Sequence, residues 1–331
     1  MRASEVEHRM SGAGNLTMED GAATFPNAIA SAPKFIVARQ STPITPFRLL
    51  VWFWRAVTHI RKVREVLAFI AKVPILSAMT QSNPRFGFKF LTDDYLARGF
   101  TVSECAACFL HHYKRLNELL PPQFLRPILE EEITLHIIPD RVHRFALTMG
   151  LSRPYDNEGE LTLRLRVEGE IVYVLSFTIV PGWVAASAAG ETLLITRLQG
   201  IRGCFPQIGI ATRAMHDVAP VRLLLAALQG VADAFGIPAI AAVPAERQTS
   251  YKNDSPLAFY EAYDNFFSEL GLSKSPAGFF YADVPIPDKP LASIKRGHRL
   301  RARKKRAFRL QIQQACTRFL VDSQPSGPVV N

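Results

Sequence analysis

Residues 160–180 read ELTLRLRVEGEIVYVLSFTIV, and this stretch decides the fold class. From residue 161 to 168, leucine and valine alternate with threonine, arginine and glutamate, which is the period of a β-strand with one solvent-facing side. Glu168-Gly169-Glu170 is a tight turn, and the apolar run after it predicts a second strand. We therefore expect an antiparallel hairpin at the centre of the chain.

Strand patterns continue on both sides of this hairpin. ITLHIIP and VHRFALTMGLS, between residues 133 and 152, predict two strands before it, and residues 192–199 predict one after it. Residues 221–232 are almost entirely apolar, which predicts a helix covered on several sides. Because a strand at residues 237–243 follows directly, we expect a βαβ unit with a parallel pair. A last strand is predicted at residues 278–284.

Helices are expected before and after these strands. Residues 47–75 have apolar residues at helical spacing, and a second helical segment spans residues 92–120, where Thr101 or Ser103 can cap a helix. A further helix is predicted at residues 257–270. The fold class is therefore α/β, of the α+β kind: an N-terminal helical region followed by a mixed, mostly antiparallel sheet with packed helices.

Composition and period divide the chain into four parts. Residues 1–45 are rich in alanine, serine, threonine, proline and glycine and are predicted to be a disordered lead. Residues 46–128 form the helical region, residues 129–290 the α/β core and residues 291–331 a basic helical tail.

The formal net charge of +10 is concentrated in that tail. Nine lysines and arginines and no acid lie between Lys295 and Arg309, so the rest of the chain is nearly neutral. Each such cation beside anionic lipid contributes about 1 kcal/mol, which makes a membrane surface one hypothesis for the partner. RNA is a less favoured hypothesis, because Phe308 is the one aromatic residue interleaved with these cations.

The helix at residues 47–75 is rich in tryptophan and basic residues. Arg55 and Arg61 interrupt it, so it lacks the run of about 20 apolar residues that a membrane span needs. Its apolar face either packs on the domain or lies in a bilayer interface. The N-terminal MRASEVEHRM has charges where a signal peptide has an apolar core, so we expect a cytoplasmic protein, with peripheral attachment to the inner membrane as a further hypothesis.

Four cysteines are present, and only Cys105 and Cys108 stand close together, followed by His111 and His112. A CxxC pair binds zinc where two further ligands complete the site. Buried cysteine is also common in a helical stretch such as this one. We favour the second interpretation and expect no metal.

The chain resembles the VirK/YbjX proteins of Gram-negative bacteria. The resemblance rests on an ordered set of motifs over about residues 90–310: Leu110-His111-His112-Tyr113, Gly159-Glu160-Leu161-Thr162-Leu163, Tyr173-Val174-Leu175-Ser176-Phe177, Leu198-Gln199-Gly200, Met215-His216-Asp217-Val218-Ala219-Pro220, Tyr263 to Gly271 (YDNFFSELG), and the basic tail. Two positions depart from the family pattern: Phe267 lies near a usual tryptophan, and Asp217 replaces a usual glycine. The resemblance implies a link to virulence and to survival against cationic antimicrobial peptides, without a reaction.

The order of the elements also looks like that of the GCN5-related acyltransferases. In that class the loop after the central strand leads to a helix N-terminus, whose free N–H groups and dipole hold the pyrophosphate of coenzyme A. Glycine lets a phosphate approach the backbone, and arginine offers it two donors. The candidate cofactor-binding residues are therefore Gln199, Gly200, Arg202, Gly203, Arg213 and Arg222.

The loop from Gly200 to Asp217 is longer than the compact glycine-rich turn of that class. It either folds over the cofactor site or indicates that the site has been lost. In the second case Arg202 and Arg213 are ordinary solvated residues.

Transfer to an amine or hydroxyl needs a general base and an acid that protonates the leaving thiolate. The resemblance to that class implies Tyr260 and Tyr263 as candidate acids, because they lie on the helix where the class often keeps its acid. Glu160, Glu191 and His216 are the candidate bases, although each of these residues also suits an ordinary core or surface position.

Three hypotheses for the function follow from these patterns. The first is a transferase that takes an acyl group from acyl coenzyme A or an acyl carrier to an envelope component or small metabolite. The second is a non-catalytic accessory at the inner membrane face that binds anionic lipid through its basic tail, and the third is an RNA-binding regulator. The motifs GxxxxGK[ST], HExxH and GxSxG do not occur, which argues against phosphate-loop enzymes, zinc proteases and common serine hydrolases.

Overall fold

The computed structural model describes residues 46–152, 157–251, 257 and 260–324, which all belong to one compact unit. In these residues eight strands form one sheet, and in chain order they are β1 (Ile133–Ile138), β2 (Phe145–Leu151), β3 (Leu161–Val167), β4 (Glu170–Pro181), β5 (Glu191–Gly200), β6 (Ala239–Ala242), β7 (Ser273–Lys274) and β8 (Phe280–Asp283). Their order across the sheet is β1-β2-β3-β4-β5-β6-β8-β7. The β5–β6 pair is parallel and the other neighbouring pairs are antiparallel, which confirms the predicted mixed sheet.

Helices precede, interrupt and follow this sheet. They are α1 (Pro46–Thr58), α2 (Ile60–Lys72), α3 (Pro74–Ser82), α4 (Val102–Leu119), α5 (Pro122–Glu130), α6 (Phe205–Ala214), α7 (Pro220–Phe235), α8 (Phe266–Glu269) and α9 (Arg299–Asp322). A 3₁₀ segment, Phe86–Leu91, lies between α3 and α4, and a π-helical turn, Tyr260–Asn265, precedes α8. None of the helices in the described ranges has the length and apolar run that a bilayer crossing needs.

The helix boundaries differ from the sequence prediction at three places. The single helix expected at residues 47–75 is divided at His59 and again at Val73. The helix expected at residues 92–120 begins only after Thr101. The Thr101 hydroxyl accepts a hydrogen bond from the N–H of Glu104, and the Glu104 carboxylate accepts one from the N–H of Thr101. This capping box sets the start of α4. The loop before α7 contains a helix, α6, that the sequence did not indicate. The predicted lead at residues 1–45 lies outside the described residues, as does part of the helix predicted at 257–270.

The polar side of β3 is covered by protein, contrary to the solvent-facing side that its alternation predicted. Thr162 is buried, and its hydroxyl lies 2.7 Å from that of Ser152 and 2.9 Å from that of Ser176. Arg166 forms an ion pair of 2.8 Å with Glu132, directly before β1. Alternation therefore located the strand correctly, while hydrogen bonds between polar side chains allowed its second side to be covered.

The basic helix α9 is attached to the core through its second half. Ile312, Cys316 and Leu320 are buried, and α9 packs along α7. The two helices meet at Gly230 of α7, where an added Cβ would lie 2.5 Å from the carbonyl oxygen of Gln313. Only glycine allows the backbones to come this close.

We expect Gly230→Ala to lower the free energy of unfolding by about 1–3 kcal/mol, because the backbone of α9 must shift to admit the methyl group. Alanine is the better helix former, so a loss of stability would isolate the contact with α9. Urea unfolding measures the effect. Gly190→Ala is the control, since nothing lies within 4 Å of its Cβ position. Equal stability of the two variants would contradict this packing.

Candidate functional site

A buried carboxylate lies where the helical region meets the sheet. Glu160, just before β3, is completely inaccessible, and its carboxylate accepts hydrogen bonds from the hydroxyls of Tyr95 and Tyr113. The ammonium group of Lys89, itself buried, lies 2.5 Å from the same carboxylate. We call Lys89, Tyr95, Tyr113 and Glu160 the buried carboxylate cluster. It joins the 3₁₀ segment and α4 to the sheet.

The protonation states in this cluster follow from its surroundings. Burial alone would raise the pKa of Glu160, but the charge of Lys89 and the hydrogen bonds outweigh it, and the pKa is lowered. Burial, followed by the charge of Glu160, raises the pKa of Tyr95 and of Tyr113 well above the usual value. Glu160 is therefore ionised and both tyrosines are donors at neutral pH. With three donors and no accessible surface, this carboxylate is placed to hold the fold together.

His112 of α4 lies next to this cluster and accepts a hydrogen bond from a backbone N–H of β4 beyond the end of β3. The pairing of β3 with β4 ends at Leu161 and Phe177, and two residues further the N–H of Ile179 donates to Nδ1 of His112 at 3.1 Å. Burial lowers the pKa of His112 to about 3. The neutral ring thus carries its proton on Nε2, which has no hydrogen-bond partner among the described residues.

A second polar group lies where the two parallel strands separate. β5 and β6 pair only from Leu193 with Ile240 to Ile195 with Ala242, and β6 then ends. Thr196 is a bulge, because Ile195 pairs with Phe177 and Arg197 with the preceding residue of β4. β5 continues to Gly200 along β4. Among the described residues, no strand pairs with the β6-facing side of β5 beyond the bulge.

Four side chains from distant parts of the chain meet at this opening: Glu158, Arg197, Thr249 and Tyr263, which we call the strand-end cluster. One oxygen of Glu158 lies 3.4 Å from Nη1 of Arg197, and the other accepts from the hydroxyl of Thr249 at 2.6 Å. The Glu158 and Arg197 side chains are 12% and 17% exposed, so a small part of each faces solvent. In contrast with Glu160, Glu158 is within reach of a bound molecule.

Tyr263, on the π-helical turn, is the phenol of this cluster. Burial and then the charge of Glu158 raise its pKa to about 12, although a backbone hydrogen bond with Leu198 and the charge of Arg197 act in the opposite direction. The hydroxyl is therefore protonated at neutral pH and lies against the open part of β5. It can donate a proton to a group that develops negative charge there.

The sequence named Tyr263 but missed Glu158, Arg197 and Thr249. The one available signal is the Glu158-Gly159-Glu160 triplet before the hairpin. Gly159 has a φ of +114°, and an added Cβ would lie 2.8 Å from Oγ1 of Thr196. The residue types mark a tight approach of two backbones, but they do not say which acid is accessible.

The other predicted acid and base residues lie in different surroundings. Tyr260 is exposed, one turn before Tyr263. Glu191, at the start of β5, is bound by both Nε and Nη2 of Arg115. It also lies 3.1 Å from Nε2 of His111. His216 follows α6, and its ring stacks edge-on against Phe308 of α9 at 5.2 Å.

The predicted cofactor-binding residues fall in several places. Gln199 and Gly200 end β5 opposite Val174 and Tyr173, and Arg202 and Gly203 form the turn before α6. Arg213 of α6 lines a cavity of about 250 Å³ with Asp140 and His143 from the β1–β2 connection. Arg222 of α7 instead lies over the ring of Phe266, 5.9 Å from its centroid. The two arginines therefore have different neighbours.

The start of α7 carries an acid that is already paired. The carboxylate of Asp217 lies 2.7 Å from Nη2 of Arg301, and Lys305 donates to its carbonyl oxygen at 2.6 Å. Pro220, the first residue of α7, has no N–H group. These features provide fewer free donors for a pyrophosphate than the sequence predicted at this helix.

Several cations of α9 form ion pairs with acids of the same chain. Besides the two cations on Asp217, Arg306 and Arg309 bind Asp288. Four exposed cations have no side-chain partner among the described residues: Lys295, Arg296, Arg303 and Lys304. They are the ones available to lipid or to another anionic partner.

The two close cysteines are both buried on α4. Burial raises the pKa of Cys105 to about 12 and also raises the pKa of Cys108 well above its usual value. In the part of the chain that the structure describes, no group of three or more His, Cys, Asp or Glu side chains is placed to hold a metal ion.

The fold and site define a mixed α/β protein that has a partly accessible polar cluster where its parallel strands separate. The chain belongs to the DUF535 family, described as a protein of unknown function, whose model matches residues 46–318. This family corresponds to VirK/YbjX, which confirms the resemblance found in the motifs. No curated protein and no solved structure matches the chain. The likeness to acyltransferases stays a prediction.

Proposed function

We propose that this protein transfers an acyl group from a thioester, of coenzyme A or of an acyl carrier, to an amine or hydroxyl group. The observation that carries the proposal is the separation of β5 from β6 beyond Thr196, with Glu158 and Tyr263 at the opening. An extended amide chain binds an open strand edge through the same hydrogen bonds as another strand does. The pantetheine arm that carries an acyl thioester is such a chain.

The strand-end cluster supplies an acid and a base for this reaction. Glu158 accepts the proton of the attacking amine or hydroxyl as the new bond forms at the thioester carbonyl carbon. The C–S bond then breaks, and Tyr263 gives its proton to the leaving thiolate. Arg197 and Thr249 hold the two oxygens of Glu158, which keeps the base oriented. Proton exchange with solvent then returns Glu158 to the carboxylate and Tyr263 to the neutral phenol.

The source of the thioester is tested together with the reaction. Because Asp217 is paired at the start of α7, a carrier-protein donor suits the site as well as coenzyme A does. The survival against cationic antimicrobial peptides that the resemblance implies supports an acceptor among envelope components, because such peptides act on the envelope. The experiment uses the full chain with acetyl and long-chain acyl coenzyme A and with an acyl carrier thioester, and follows release of free thiol in the presence of amine and hydroxyl acceptors.

We expect Tyr263→Phe to lower the rate of thiol release about a hundredfold while donor binding, measured by thermal shift, is retained, because only the proton for the thiolate is lost. Tyr281→Phe is the matched control, since that hydroxyl binds Asp283 on β8. If no donor binds or reacts, or if Tyr263→Phe reacts as fast as the control, the proposal is wrong.

A further inference from the structure

Helix α1 exposes a row of large apolar side chains. Its members lie at helical spacing on one side of α1 and at the first residue of α2, and they are Leu50 (66% exposed), Phe53 (63%), Trp54 (67%), Val57 (51%) and Ile60 (45%). We call these five residues the apolar stripe. Isolated exposed apolar residues are ordinary, whereas five neighbouring ones on one surface indicate a contact surface.

The stripe is not the side of α1 that packs on the protein. Trp52 and Ala56 face the hydrophobic core, and the ring of Trp52 packs edge-on against Phe88 at 5.2 Å. Arg55 forms an ion pair with Asp93 and secures the same side. Within the described part of the chain, helix α1 is thus held in place without the stripe, whose side chains stay exposed.

Cations continue the stripe into α2. Arg61 and Arg64 are exposed and have no ion-pair partner among the described residues. Arg64 follows Ile60 by one turn of α2 and therefore lies on the same side of that helix as the last residue of the stripe. The neighbouring acids are already paired, Glu65 with Lys62 at 2.9 Å and Asp93 with Arg55. The surface therefore combines aromatic and aliphatic groups with net positive charge.

We infer that the apolar stripe docks α1 on an anionic lipid bilayer. Tryptophan, phenylalanine and leucine on one side of a helix, with arginine beside them, suit the boundary between acyl chains and anionic headgroups. A second protein is a poorer fit, because the stripe is about 15 Å long and one helix wide. Stable protein interfaces bury about 800 Å² on each partner. This inference concerns where the protein acts and does not depend on the proposed acyl transfer.

The test is flotation of the full chain with vesicles of phosphatidylcholine alone and of phosphatidylcholine mixed with phosphatidylglycerol. We expect binding to the mixed vesicles and at least tenfold weaker binding of the Phe53→Ser/Trp54→Ser variant, because two aromatic side chains leave the lipid. Trp183→Ser removes another exposed tryptophan, 60% accessible, and should bind like the unchanged chain. In the Trp183→Ser variant, which keeps Trp54, the tryptophan emission should shift to shorter wavelength when the protein binds vesicles.

A charge variant separates the electrostatic part of the contact. Arg61→Glu/Arg64→Glu should weaken binding to the mixed vesicles at least tenfold while urea unfolding is unchanged, since both side chains are exposed. Equal binding of the stripe variant and the control, or equal binding to both kinds of vesicle, would overturn the inference. So would an unchanged chain that does not bind vesicles but self-associates through the stripe, as shown by a change in sedimentation with Phe53→Ser/Trp54→Ser.

Discussion

Replacing Lys89 by methionine is expected to lower the free energy of unfolding by about 3–5 kcal/mol at neutral pH. The substitution leaves the carboxylate of Glu160 in the interior without its cation, and an unpaired buried charge is far more costly than the loss of a surface ion pair. The remaining hydrogen bonds from Tyr95 and Tyr113 stabilise the charge only in part. Urea unfolding of the full chain measures the difference.

The double variant Lys89→Met/Glu160→Gln distinguishes charge from packing. It removes both charges and leaves an amide whose oxygen accepts from one tyrosine while its NH2 group donates to the hydroxyl of the other, so it should recover most of the lost stability. Lys62→Met is the matched control, because it breaks an exposed pair with Glu65 and should change the stability by less than about 1 kcal/mol. A Lys89→Met variant as stable as this control would show that Glu160 is not charged in the folded protein.

Acidification from pH 7 to pH 4.5 is expected to remove about 2–3 kcal/mol of stability through His112 alone. Its pKa is about 3 in the folded protein, against an ordinary value of 6.5, so the unfolded chain binds a proton in this range and the folded chain does not. A group whose pKa is lowered by folding contributes its full stability at pH values above its ordinary pKa. That stability is lost progressively as the pH falls below about 6.5.

His112→Asn tests this assignment, because its amide oxygen can accept from the N–H of Ile179 but does not titrate. We expect the variant to be less stable at pH 7 and less sensitive to acid than the unchanged chain. The pKa values of His111 and His136 are also lowered by burial, and both residues stay in the variant, so the difference between the two pH profiles belongs to His112. Parallel profiles would mean that His112 is charged in the folded state.

The central strands and the apolar helix α7 could be predicted because short-range patterns encode them. Alternation located β3, the apolar run after the turn located β4, and a nearly continuous apolar run located α7. The parallel pair of β5 with β6 followed from the strand–helix–strand order. The breaks at His59 and Val73 were missed, because each affects only one turn of an otherwise helical pattern.

Most of the candidate site could not be predicted, since its residues are far apart in the chain. Thr249 contacts Glu158 across 91 residues, and Tyr95 contacts Glu160 across 65. No local pattern tells which of the two acids beside Gly159 becomes enclosed and which stays within reach of solvent. The sequence offered Glu160 as one of three candidate bases, whereas the structure surrounds it with three donors and places Glu158 where β5 and β6 separate.

The sequence by itself determined the hairpin at residues 160–180, the mixed sheet built around it and the family to which the chain belongs. These properties depend on residue period and on motif order, which a linear sequence contains. Only the tertiary structure decided that the polar side of the same hairpin is covered, that Glu160 is enclosed in the core and that Glu158 lies close enough to raise the pKa of Tyr263. Burial and charge pairing depend on which distant elements pack together, and this packing determines what each carboxylate can do.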